Sequence, residues 1–207
     1  MQFFDSAVIY MNFLIATNNE KKLVELKRIL AKFNINVMTA KQANIDLSGV
    51  EETGKTFEEN ARIKAVSAMK LSGMPAIGDD SGLMVDALNG EPGIYSARYA
   101  GIGASDDQKI NKLLLNMQDI GYDKRNAKFV CAVCCVFPDG KEIAVKGECF
   151  GKIGFDKHGE GGFGYDPIFV TQSGRTFAEL NSKEKDEISH RGNALRKFEE
   201  ELKKFLS

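Results

Sequence analysis

No stretch of this sequence approaches the roughly 20 consecutive apolar residues that a bilayer-crossing helix needs, so no membrane partner is expected. Met1 to Tyr10 lacks the basic start and long apolar region of a signal peptide, which points to a cytoplasmic protein. Nor is there an excess of positive charge: 28 Lys and Arg stand against 29 Asp and Glu, for a net charge of −1. That balance argues against a nucleic-acid-binding surface. Cysteine is scarce, and three of the four fall in Phe129 to Phe137, a run with the character of a buried strand. Strand alternation sends Cys131 and Cys135 to one face and Cys134 to the other, so they suit core packing and not a shared zinc site. No repeat, low-complexity tract or linker interrupts the chain, and its 43% hydrophobic and 28% charged content is that of an ordinary globular protein.

What is present is a set of polar residues in unusual places. In Ala76-Ile77-Gly78-Asp79-Asp80-Ser81-Gly82-Leu83, an apolar run that reads as a buried strand stops at two adjacent carboxylates and a glycine turn. Carboxylates at a strand end suit Mg²⁺, which shares its coordination between hard oxygen ligands, water and phosphates. Asp, Ser and Gly are also ordinary turn residues, so this segment alone decides nothing. A second apolar stretch, Phe13 to Ile15, leads through Thr17, Asn18 and Asn19 into a helix with Leu23, Leu26, Leu30 and Phe33 on its apolar side. Lys21 and Lys22 fall in that helix's first turn, where the macrodipole is already positive. A bound polyphosphate would turn the resulting penalty into a gain. The glycines of a Walker loop are missing.

Thr56 and Glu59 stand at capping-box spacing and open a further helix, whose stripe Phe57, Ala61, Ala65 and Ala68 is interrupted by Lys64. A lysine there must snorkel out or meet an anion. Glu51 and Glu52 precede this helix in a loop. Near the C-terminus Ser189 caps a last helix with Leu195, Phe198, Leu202 and Phe205 on its apolar face, which again places His190 and Arg191 at the positive end of a dipole. Upstream, Gly161 to Phe169 is a glycine-flanked aromatic loop in which Phe163 or Tyr165 offers a flat face for a base. Ser105 to Met117 reads as one more amphipathic helix, and a strand from Glu142 to Cys149 pairs with the cysteine-rich strand through a turn at Pro138-Asp139-Gly140.

Taken in order, these blocks resemble the inosine triphosphate pyrophosphatases, a family that acts on non-canonical purine nucleoside triphosphates. The resemblance rests on Thr17, Asn19 and Lys22; on Glu51 to Gly54 with Phe57 to Ala61; on Asp79 to Leu83; on Pro92 to Tyr99; on Gly161 to Phe169; and on Ser189 to Gly192. It implies an elongated α/β fold with a central mixed β-sheet flanked by helices and two lobes around a substrate cleft. It also implies a homodimer and Mg²⁺-dependent hydrolysis of ITP, dITP and XTP to monophosphate and pyrophosphate. The resemblance begins near Met11, so residues 11–207 form one such domain, and 1–10 are an extension of open role.

On this reading Glu52 and Asp80 hold the metal, and Asp80 orients or deprotonates the attacking water, with Asp79 as the alternative. Lys22, Lys64 and Lys185 neutralise phosphoryl charge. Thr17 to Lys22 (Thr17, Asn18, Asn19, Glu20, Lys21 and Lys22) and Ser81 bind substrate. The resemblance assigns the base to Phe163, Gly164, Tyr165, Asp166, Lys185, His190 and Arg191. A donor such as Arg191 would favour the 6-oxo group over the 6-amino group of adenine. Two other readings compete: a phosphomonoesterase, which would release inorganic phosphate, and a non-catalytic nucleotide sensor, which would have little use for the carboxylates.

Overall fold

Phe13, Leu14, Ile15 and Ala16 are all buried, which requires a strand covered on both faces, and β1 (Asn12–Ala16) is such a strand. The computed structural model describes residues 11–207, so the extension expected at 1–10 lies outside the described residues. β1 runs parallel to β2 (Asn36–Thr39) on one side and to β3 (Ala76–Val85) on the other. The crossovers carry α1 (Glu20–Ala31) and α2 (Phe57–Ser72). From β3 the chain turns antiparallel through β4 (Asn126–Val136), β5 (Glu142–Ile153) and β6 (Phe169–Val170), giving the sheet order β2-β1-β3-β4-β5-β6. The α/β class with a mixed central sheet is therefore as expected. The remaining helices are α3 (Asp106–Asn116), α4 (Ser182–Ile188) and α5 (His190–Leu206). None of the described helices is long and apolar enough to cross a membrane.

The faces of the sheet are covered differently. Phe13, Ile15, Cys131 and Cys135 pack with Leu26, Ile29 and Leu30 of α1 and Leu195, Phe198 and Leu202 of α5. Cys134, Val130 and Ala132 pack on the other face with Phe57, Ala61 and Ala65 of α2. The cysteines thus divide between faces as the alternation required, and all four are free and buried.

One expectation is corrected. β3 does not end at Asp79 and Asp80 but continues to Val85, paired residue for residue with β4 from Ala76↔Val136 to Val85↔Ala127. The strand that stops is its other neighbour, β1, whose last partner on β3 is Gly78. The two carboxylates therefore lie mid-strand, beside the gap left at the carboxyl end of a parallel strand, where open α/β sheets bind ligands. β5 also runs four residues beyond the expected Cys149 because its pairing with β4 persists to Asn126↔Lys152.

Gly78 sets how closely α2 approaches this point. A Cβ there would run into the Ala61 carbonyl oxygen and lie 2.8 Å from the Ala65 nitrogen. Gly78→Ala should therefore lower the unfolding free energy in urea by about 1–3 kcal/mol, the usual range for overpacking. Wild-type stability would show that α2 can stand off the strand.

Candidate active site

The turn after β1 is built by its own polar side chains. Thr17 Oγ1 accepts from the Asn19 amide at 3.2 Å, and Asn19 Oδ1 caps α1 by accepting from the amides of Lys21 and Lys22 at 3.0 and 3.1 Å. Asn18 Nδ2 reaches the Leu47 carbonyl at 3.5 Å. This fixes the first turn of α1 over the gap at the end of β1. Lys22 Nζ lies 3.4 Å from Asp79 Oδ2, so the lysine at the positive helix end has an anion inside the fold.

Because adjacent strand residues point to opposite faces, Asp79 and Asp80 meet different surroundings. Asp80 faces α2: its Oδ1 is 3.1 Å from Lys64 Nζ and its Oδ2 accepts from Asn60 Nδ2 at 3.3 Å. Lys64 also holds Glu52 Oε1 at 3.2 Å. The stripe-breaking lysine does not snorkel away; it bridges two carboxylates. Burial works against its charge, but Asp80, Asp79 and Glu52 outweigh that and raise its pKa. Asp80 is pushed up from the usual carboxylate range by burial, with Glu52 adding to the rise and Lys64 and Lys22 opposing it. These groups line a cavity of about 430 Å³ with Thr17, Asn18, Asn19, Lys22, Ser81 and Arg98. Two carboxylates joined through one lysine, with open space beside them, fit a hard divalent cation that completes its shell from water and phosphates. No group of three or more His, Cys, Asp or Glu among the described residues forms a closed metal cage.

Asp79 faces the other way, into a buried charge network. Arg191 Nη2 donates to Asp79 Oδ2 at 3.0 Å and to Ser81 Oγ at 2.9 Å, while its Nη1 donates to Glu25 Oε2. Lys185 Nζ then joins Glu25 Oε1, at 2.8 Å, to Asp166 Oδ2, at 2.6 Å, and Asp166 accepts from the Phe163 amide at 2.8 Å. Burial alone would raise the Asp79 pKa; Lys22, Arg191 and Lys64 instead hold it well below the usual range. Glu25, on α1, was missed by sequence reading. Its signal is a carboxylate one turn after Lys22 on a face that continues to the buried Ile29.

A second cavity, of about 370 Å³, adjoins the first and shares Asn19, Lys22, Ser81 and Ala97 with it. Phe163 stands at its wall with Lys185 Nζ 5.0 Å from the ring centroid. Gly162 permits this loop, since its φ is 72° and a Cβ would overlap the Asp166 carboxylate. The loop is tied to α3: Gly164 N donates to Asp106 Oδ2 at 2.9 Å, and Lys21 and Lys109 pair with the same carboxylate at 3.2 and 2.6 Å. These contacts bring the Asp106 pKa down to about 2 despite partial burial. Asp106 and Lys109 were also unread, because their role appears only once the chain has folded α3 against the loop. His190 is buried and stacked on Phe129, with centroids 4.7 Å apart and planes at 13°. Burial, reinforced by Arg191, Lys185 and Lys22, lowers its pKa well below the ordinary value, so the ring is neutral.

Of the residues singled out from sequence, Glu20, Lys21, Gly164, Tyr165, Asp166, Lys185, His190 and Arg191 line this second cavity with Phe163. Two of them are less available than expected. Tyr165 is buried and donates its hydroxyl to the Ser96 carbonyl at 3.0 Å, which leaves Phe163 as the accessible aromatic face. Arg191 is 1% exposed with both terminal nitrogens committed to carboxylates. Glu51 reaches neither cavity. Among the described residues three buried side-chain atoms lack partners, Asp79 Oδ1, His190 Nδ1 and Arg191 Nε, and all belong to this region. Orphaned buried polar atoms are rare enough to mark a place where something else binds.

Arg191→Met would strand Asp79 and Glu25 without their shared cation, and breaking a buried pair costs about 3–5 kcal/mol. A thermal midpoint equal to wild type in calorimetry would show the network to be incidental. His190 yields a pH signature. Below about pH 6.5 the unfolded chain binds a proton at this histidine that the native state refuses, so stability falls as pH drops, by at most about 1.4 kcal/mol per unit. His190→Phe, which can keep the stack on Phe129, should lose that increment, seen as a smaller pH dependence of stability between pH 6.5 and 5 than in wild type. Parallel profiles would show that His190 titrates normally.

Comparison with known proteins gives the family. The Ham1 family model matches residues 13–201. A dITP/XTP pyrophosphatase of Bacillus cereus is 47% identical over 192 residues, which cover 91% of this chain and 93% of that protein. One from Clostridium perfringens is 45% identical over 201 residues, 94% of this chain and 98% of its own. Among solved structures, a HAM1 protein from Coxiella burnetii superposes with a TM-score of 0.84 at 38% identity, covering 94% and 99% of the two chains. The Staphylococcus aureus Ham1 protein gives 0.81 at 43% identity, covering 93% and 98%. The alignment over nearly the whole chain, and a fold shared at these identities, make this protein a member of the Ham1 family.

Proposed function

We propose that the protein hydrolyses purine nucleoside triphosphates with a 6-oxo base, such as dITP, ITP and XTP, to the monophosphate and pyrophosphate. The observation that carries this is the adjacency of two cavities of different chemistry: one with an aromatic wall and buried cations, the other with two carboxylates and two lysines, sharing Asn19, Lys22 and Ser81. A base in the first and a polyphosphate in the second match both surfaces. The curated relatives carry the same activity in their names.

The base stacks on Phe163, and its 6-oxo group accepts from donors at the cavity floor. Lys185 Nζ has three protons and two acceptors in the fold, and Arg191 Nε–H has none. A 6-amino group would set a donor against these donors and leave buried groups unpaired, which is how such a site rejects adenine. Lys22 and the first-turn amides of α1 receive the phosphates. Glu52 and Asp80 would hold Mg²⁺, which supplies charge neutralisation to the phosphates.

Asp80 is the general base. It lines the phosphate cavity, where it can meet the attacking water, while Asp79 is fully buried and pinned as an anion by Lys22 and Arg191. Water attacks the α-phosphorus and gives its proton to Asp80; the bond from that phosphorus to the bridging oxygen breaks, and pyrophosphate leaves. Lys64 holds Asp80 and Glu52 in register and offsets the charge that builds on the phosphoryl oxygens. The homodimer that the family resemblance implies belongs to the same reading, and sedimentation of the full chain measures it.

Incubation with dITP and Mg²⁺ should yield dIMP and pyrophosphate, and release of inorganic phosphate with a diphosphate would instead place the attack at the γ-phosphorus and overturn this reading. Asp80→Asn should reduce kcat by about 10²–10⁴, the usual share of a general base. Its thermal midpoint should stay level or rise, because the native site already resists the aspartate charge. Near-normal turnover in this variant would remove Asp80 from the mechanism.

A further inference from the structure

The phosphate cavity opens at its far side into a third space, a groove of about 780 Å³. It shares Glu52, Ile94 and Arg98 with the phosphate cavity and no wall residue with the base cavity. The three spaces are therefore joined in series, with the base cavity at one end, the groove at the other, and Arg98 at the wall between the phosphate cavity and the groove. Arg98 closes the short 3₁₀ turn Gly93–Arg98, and its guanidinium carbon sits 5.0 Å from the ring centroid of Tyr95.

Arg98 differs from every other arginine of the described residues. Arg28, Arg62, Arg175 and Arg191 pair with carboxylates, and Arg125 and Arg196 donate to backbone carbonyls. The exposed Arg98 side chain alone has neither an ion-pair nor a hydrogen-bond partner among those residues, and its one recorded contact is the face of the exposed Tyr95 ring. The other cations of the phosphate cavity are already engaged, Lys22 by Asp79 and Lys64 by Asp80 and Glu52. A polyphosphate entering this cavity finds one cation whose charge the fold has not spent.

Building on the nucleotide reading above, we propose that Arg98 binds the terminal two phosphates of the substrate, the part that leaves as pyrophosphate. The row of cavities decides which phosphates: with the base beside Phe163, the α-phosphate lies near Lys22 and Ser81 at the shared wall, and the tail extends toward Arg98. A guanidinium presents a planar fork of donors that fits phosphate oxygens two at a time. Its grip grows as the bridging bond breaks and charge moves onto the departing pyrophosphate, so it assists departure as well as binding. Opening onto the groove gives the product a way out on the side opposite the base.

The experiment compares the two products as ligands. Inhibition by pyrophosphate and by IMP is measured with Mg²⁺ for wild type, Arg98→Gln and Arg98→Lys, and pyrophosphate binding is measured independently by calorimetry. Arg98→Gln should weaken pyrophosphate by about tenfold or more, the size of a lost charge-assisted contact, and raise KM for dITP, while IMP changes less than about twofold. Arg98→Lys should recover part of the loss, since it keeps the charge but not the fork. Unchanged pyrophosphate affinity, or equal weakening of IMP, would overturn the assignment. If the wild type releases no pyrophosphate, the functional reading fails by itself, and calorimetry with pyrophosphate still reads Arg98 directly.

Discussion

The buried pair of Asp79 with Arg191 is the interaction on which the rest depends. A carboxylate in the middle of a central strand could not stay ionised without cations; Lys22 supplies one from α1, and the shorter contact comes from the first turn of α5, 112 residues away in sequence. Arg191 in turn requires Glu25 for its second terminal nitrogen, Glu25 requires Lys185, and Lys185 reaches Asp166 under the aromatic loop. One chain of charges thus joins β3, α5, α1, α4 and the glycine loop. The lowered pKa values of Asp79 and Glu25 record that attraction overcomes burial at both carboxylates. The base cavity is the space this network leaves open above itself.

The same constraint separates the two neighbouring aspartates. Strand geometry aims them at opposite faces, so identical side chains one residue apart acquire opposite titration behaviour. Asp79 is surrounded by three cations and stays charged; Asp80 shares Lys64 with Glu52 and is shifted upward. The paired carboxylates are therefore one fully buried anion held by Lys22 and Arg191 and one group that lines a cavity with Lys64 and Glu52.

Much of this was legible in the chain. Thr56 and Ser189 cap the helices that their positions announced, because capping is a local interaction. Lys64 was identifiable as a charge interrupting an apolar stripe, and the cysteines by their alternation. The end of β3 was misread, since Asp-Asp-Ser-Gly has poor strand propensity and only the ten-residue pairing with β4 carries the strand through it. Glu25 and Asp106 were invisible for a related reason: each is an ordinary surface-type residue of an amphipathic helix until distant partners, Arg191 and Gly164, arrive. Local signals predict helices and turns; pairings across a hundred residues do not announce themselves.

The placement of His190 and Arg191 on α5 also has a consequence for synthesis. A ribosome makes β1, α1 and the carboxylates of β3 first, but Arg191, the second cation on Asp79 beside Lys22, and His190, which lines the cavity beside Phe163, emerge only with α5. Until then Asp79 has Lys22 of α1 as its partner but not Arg191, and the cavity beside Phe163 lacks two of its wall residues. The docking of α5 on the sheet therefore closes the charge network and completes the wall of that cavity in a single step.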